Sequence, residues 1–74
     1  ILLYPNPVSD KLSIKTSNIN TQIIEITDIM GKVIGKFEPK EAFQIDVSAY
    51  ANGIYIVKLK TDNNNTIYKK FIKQ

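Results

Sequence analysis

Apolar and polar residues alternate one by one through most of the chain, and no window repeats at the three-to-four spacing of a helix. The clearest stretch is 54–61, with Tyr55, Val57 and Leu59 on one face and Ile54, Ile56, Lys58 and Lys60 on the other. Aromatic and β-branched residues suit a pleated, half-buried surface, so this run is predicted to be a central strand. Just before it, Ile45 and Val47 alternate with Gln44 and Asp46 as a shorter strand with one buried face. Ser48, Asn52 and Gly53 then supply the turn between the two, and Gly53 is expected at positive φ, where a Cβ is costly.

The same alternation predicts strands over 11–16 (Leu12 and Ile14 inward), 22–29 (Ile24 and Ile26 inward), 32–38 and 66–73. In 32–38 the sets Val33/Gly35/Phe37 and Ile34/Lys36 are not distinguished by the pattern. Residues 17–21 and 39–41 read as connections. Residues 28–32 read as a tight hairpin turn in which Gly31 takes the positive φ. The run Asp62-Asn63-Asn64-Asn65 reads as another reversal. It lacks the bidentate Glu and spacing of a calcium loop, and Asn64-Asn65-Thr66 matches the glycosylation pattern only weakly. At the start, Pro5 and Pro7 remove two backbone donors and mark a domain entrance. Residues 1–3 are either the end of an upstream linker or a first short strand. Strands about ten residues apart with turn signals between them predict an all-β fold: a small antiparallel β-sandwich, immunoglobulin-like, of about seven strands. Residues 1–74 form a single domain in this reading.

Composition narrows the function more than the fold. A chain of 74 residues buries only about 60% of its unfolded surface, so its stability is modest. It has no Cys and no His, which removes disulfides, thiolate or imidazole metal ligands and the usual general bases. Seven carboxylates and some hydroxyls remain, and Glu25, Asp28 and Asp46 fit turn and face positions, so an enzyme is not expected, nor a cofactor or metal. The net charge of +3 gathers late: five lysines against Asp62 follow Val57, and the preceding part is slightly negative. Every basic residue is Lys, which argues against bidentate recognition of phosphate or base edges, and so against a nucleic-acid partner. No run approaches the roughly 18 apolar residues of a membrane-spanning helix. A start at Ile1 without Met is expected of a piece cut from the end of a longer protein.

Four motifs in order resemble the type A C-terminal sorting domains of the type IX (Por) secretion system of Bacteroidetes. They are Tyr4-Pro5-Asn6-Pro7; Asp28-x-x-Gly31-Lys32; Asp46-Val47-Ser48 followed by Gly53-Ile54-Tyr55-Ile56-Val57-Lys58; and Lys70-Phe71-Ile72-Lys73. The resemblance covers nearly the whole chain. It implies a non-catalytic address: an N-terminal cargo in the same chain passes through the periplasm and is recognised by an outer-membrane translocon. Shuttle and sortase-like components then deliver it to the cell surface or medium. The candidate recognition residues are Lys69, Lys70, Phe71, Ile72 and Lys73, on a lysine-guarded final strand whose free edge could pair with a receptor strand. The alternative is an accessory carbohydrate-binding or structural β-sandwich module of a secreted enzyme. That reading calls for a planar patch of exposed aromatics, and this chain has no Trp.

Overall fold

The computed structural model describes residues 2–16, 21–38, 40–61 and 65–74. Seven strands follow in order: β1 (Leu2–Tyr4), β2 (Lys11–Lys15), β3 (Thr21–Asp28), β4 (Val33–Phe37), β5 (Ala42–Asp46), β6 (Gly53–Thr61) and β7 (Thr66–Lys73). They form two antiparallel sheets, one ordered β1-β2-β5 and the other β4-β3-β6-β7. The reason is the alternation itself. Each strand carries one apolar face that only a facing sheet can cover, and the chain crosses between sheets after β2, β4 and β5 to supply one. The expected small β-sandwich is what forms, with 2–4 as its seventh strand.

The core lies between the sheets. Leu12 and Ile14 of β2 and Ile45 of β5 meet Ile24 and Ile26 of β3, Tyr55, Val57 and Leu59 of β6, and Phe71 of β7. Burying each such side chain is worth about 1.5–3 kcal/mol, which matters in a domain this small. β6 holds the central place predicted for it, bonded to β3 on one side and β7 on the other. Its inward face is the Tyr55, Val57, Leu59 set.

In β4, where the pattern left both faces open, Phe37 packs against the core with Gly35 on its side, and Ile34 and Lys36 face out. A bulge between Ile26 and Thr27 shifts the register, and Val33 is left 42% exposed. Two residues outside the strands also enter the core: Val8, after the prolines, and Val47, after β5. Most of the predicted connection at 17–21, Pro39 and the 62–64 part of the Asp/Asn reversal, with its calcium and glycosylation readings, lie outside the described residues.

Candidate functional site

β7 is the edge strand of the four-stranded sheet, and its alternation divides the five candidate recognition residues. Phe71 points inward and is fully buried. Lys73 lies on the same side at 7% exposure, its Nζ donating to the Gln74 carbonyl at 3.1 Å. Ile72 is half-buried on the outer side, and Lys69 and Lys70 are exposed. The five are neighbours in sequence, but only Lys69, Lys70 and part of Ile72 are presented at the folded surface.

The edge of β7 differs from the free edge expected of it. Val8 forms a parallel bridge with Lys73: its N–H donates to the Ile72 carbonyl and its own carbonyl accepts from the Gln74 N–H. One residue pair earlier, the Asn6 side chain completes the contact. Its Oδ1 accepts from the Ile72 N–H at 3.0 Å and its Nδ2 donates to the Lys70 carbonyl at 3.2 Å. An amide side chain carries both a donor and an acceptor, so Asn6 mimics a strand peptide and serves two edge groups at once. The motif Tyr4-Pro5-Asn6-Pro7 is thus more than an entrance. Tyr4 stays in β1 opposite Ser13, the Tyr4–Pro5 and Asn6–Pro7 peptides are both cis, and the loop closes the last part of β7.

A second support comes from inside. In the turn after β5, Asp46 Oδ1 accepts from the Ser48 N–H at 2.9 Å and from the Ser48 hydroxyl at 2.6 Å, and the Tyr50 N–H donates to the Val47 carbonyl. The Ser48 hydroxyl bond first, and then its N–H bond, hold the Asp46 carboxyl at about 2, below the ordinary range; an ion pair with Lys11 at 3.2 Å adds to them. Gly53 then starts β6 at φ 151, the positive value expected. The Tyr55 hydroxyl donates back to the Ala51 carbonyl, a tyrosine corner of the immunoglobulin-like kind. The Tyr55 ring stacks on Phe71 with centroids 5.4 Å apart, and the Tyr50 ring lies tilted 5.4 Å from Tyr55. Partial burial raises the Tyr50 pKa, with the Tyr55 hydroxyl as a smaller cause.

The Asp28 turn belongs to the same end of the sandwich, because Asp28 is in register with Tyr55 and Tyr55 with Phe71. Asp28 Oδ1 accepts from the Met30 and Lys32 amides, its N–H donates to the Lys32 carbonyl, and its carbonyl accepts from the Gly31 N–H. Gly31 takes φ 87, as the hairpin requires. All four sequence motifs, scattered from Tyr4 to Lys73, therefore meet at one end, around the last residues of β7. Sequence reading placed each motif in its element but not the convergence. It also passed over Val8, whose signal was an apolar residue standing alone after Pro7.

Two shallow hollows among the described residues lie elsewhere. One is lined by Tyr4, Ser13, Ile14, Ala42, Phe43 and Gln44, the other by Ile23, Lys36, Phe37 and Glu38. Neither sets a nucleophile beside a base among its lining residues.

The chain is 34% identical over 74 residues to an endo-acting ulvan lyase of Formosa agariphila, covering 97% of this chain and 14% of the lyase. It is 29% identical over 69 residues to the ulvan lyase NLR42 of Nonlabens ulvanivorans, covering 90% of this chain and 13% of that protein. The chain thus spans about one seventh of the length of these curated relatives. Residues 2–74 match the secretion system C-terminal sorting domain, and on that match the chain belongs to this family, the sorting domain of type IX secretion.

Proposed function

We propose that the domain is the address by which an N-terminal cargo in the same chain is taken from the periplasm by an outer-membrane translocon, with shuttle and sortase-like components acting afterwards. The observation that carries this reading is the meeting of the four motifs around β7, in a domain matched to the sorting family over residues 2–74. In this reading Lys69, Lys70 and the outer side of Ile72 are the residues a receptor touches. Phe71 and Lys73 hold the strand from within, and Asn6 holds it from the edge. The two relatives are ulvan lyases by name, so the cargo we favour is a secreted polysaccharide-degrading enzyme. The domain does no chemistry on that substrate.

The test is a fusion of residues 1–74 behind a signal peptide and a fluorescent reporter. Fluorescence should reach the surface or medium of a Bacteroidetes cell with the secretion system and stay periplasmic when the translocon is deleted. Delivery in both strains overturns the reading. The carbohydrate-binding alternative gains nothing from the exposed aromatics. Tyr4 is 49% exposed on one sheet and Tyr68 is 63% exposed on the other, and they form no common platform.

A further inference from the structure

On the outward face of the three-stranded sheet Lys11 is paired with Asp46 and Ser13 accepts a hydrogen bond from Gln44, while Lys15 forms no ion pair among the described residues. On the four-stranded sheet the register lays out Lys36, Glu25, Lys58 and Tyr68 as one row across β4, β3, β6 and β7. Neighbouring rows hold Thr27, Ile56 and Lys70, and Ile23, Lys60 and Thr66; Ile54 pairs with Ile72 at the end. Glu25, 3.7 Å from Lys36, is the single acid in these rows. Lys58, Lys60 and Lys70 form no ion pair among the described residues.

These three lysines border an apolar strip. Ile54 is 43% exposed, and Ile56 and Ile72 are half-buried beside it on the outward face. Lysine alone would serve a simple polyanion. Here the isoleucines cluster at the end of the β6–β7 pair, and Lys70, Lys58 and Lys60 follow along one side of them with Tyr68 at 63% exposure, so an apolar part and a cationic part adjoin on one face, as in a protein interface.

We propose that the outward face of β6 and β7, with Ile54, Ile56 and Ile72 as its apolar part and Lys58, Lys60 and Lys70 along one border of it, docks on a protein partner whose complementary surface is an apolar patch with carboxylates along one side. The inference rests on the sorting reading, in which that partner belongs to the export machinery. It moves recognition from the edge of β7 to the face that β7 shares with β6. Cationic borders of this kind act mainly on encounter rate and its salt dependence, and apolar parts act on residence time.

The experiment uses the whole cargo–domain chain in a cell with the secretion system. Lys58→Gln with Lys60→Gln is compared with Lys15→Gln with Lys40→Gln, which removes the same charge from other surfaces. Ile54→Thr tests the apolar part while keeping a β-branched strand residue. Melting temperatures confirm that each purified variant folds. The expected result is a several-fold loss of exported protein for the Lys58/Lys60 and Ile54 variants, with the Lys15/Lys40 variant exported like the wild type. Normal export of the Lys58/Lys60 or the Ile54 variant, or equal loss in the Lys15/Lys40 control, overturns the proposal. Vesicles of phosphatidylglycerol provide the arm for a lipid occupant. Binding there that disappears in the Lys58/Lys60 variant while its export is unchanged assigns the face to anionic lipid and overturns a protein partner. A wild-type chain that is not exported overturns the sorting reading itself.

Discussion

The two halves of β7 share a composition and differ in almost everything else. In the first half, 66–69, Tyr68 and Lys69 are exposed, and Asn6 and Val8 do not reach the edge. In the second half, 70–73, Phe71 and Lys73 are buried, and the edge is taken by Asn6 and Val8. Lysine and aromatic residues occur in both. What separates the halves is a loop more than sixty residues away in sequence, with |i−j| of 64 and 66 for its two side-chain bonds. A charged edge strand usually guards itself against pairing. Here the first half is guarded by lysine alone, and the second is closed as well by the Asn6 side chain and the Val8 backbone.

The sharpest way to break this contrast is to truncate one aromatic in each half. Phe71→Ala should cost about 3–5 kcal/mol, since it empties a fully buried position under Tyr55. Tyr68→Ala should stay within about 0.5 kcal/mol, as surface changes usually do. Similar losses in urea unfolding of the two variants would erase the distinction. Next in size is Gly53→Val. Gly53 pairs with Lys73 and holds φ 151, so a β-branched residue there should cost about 1–3 kcal/mol through backbone strain. An unchanged melting temperature would show the strand end to be indifferent to that conformation.

Asn6→Ala is a gentler cut, aimed at the clamp alone. It leaves the Ile72 N–H and the Lys70 carbonyl to water, for about 0.5–1.5 kcal/mol, and should speed amide exchange at Ile72 without changing that at Tyr68. Equal exchange before and after would show that Asn6 does not close the edge. The smallest effect belongs to the Asp46 turn, which leads into Gly53. The Asp46 pKa is depressed in the fold, so its contribution is present above its ordinary value of 3.8 and is lost as pH falls through about 2. Ser48→Ala removes the hydroxyl bond and keeps the backbone N–H bond, so it should raise the carboxyl part of the way toward 3.8 in an NMR titration. A carboxyl still titrating near 2 would transfer the effect to the backbone N–H and Lys11.

Strand positions were legible because the side-chain period of two is local: Tyr55, Val57 and Leu59 announce a buried face without help from any partner. Turn chemistry was legible for the same reason, at Asp28, Gly31 and Gly53. The faces of β4 were not, because the bulge at Ile26/Thr27 is a property of the pair of strands. The closure of β7 was also hidden, since no local pattern tells an Asn between two prolines which distant amide it will meet. The candidate site shows the same division. Phe71 and Lys73 belong to an apparently exposed lysine-rich run, and only the packing of β7 against the facing sheet shows that they point inward.

The bridge from Val8 to Lys73 also governs when the domain can come into being. Contacts this distant along the chain close last and slow the search for the native state. β7 leaves the ribosome after every strand it must join. Until it arrives, β6 lacks a neighbour, Tyr55 lacks the ring beneath it and the proline loop has no strand to hold. A chain stopped short of Phe71 therefore lacks the ring under Tyr55 and the strand that Asn6 and Val8 clamp, so the complete fold requires synthesis to have reached the end of β7.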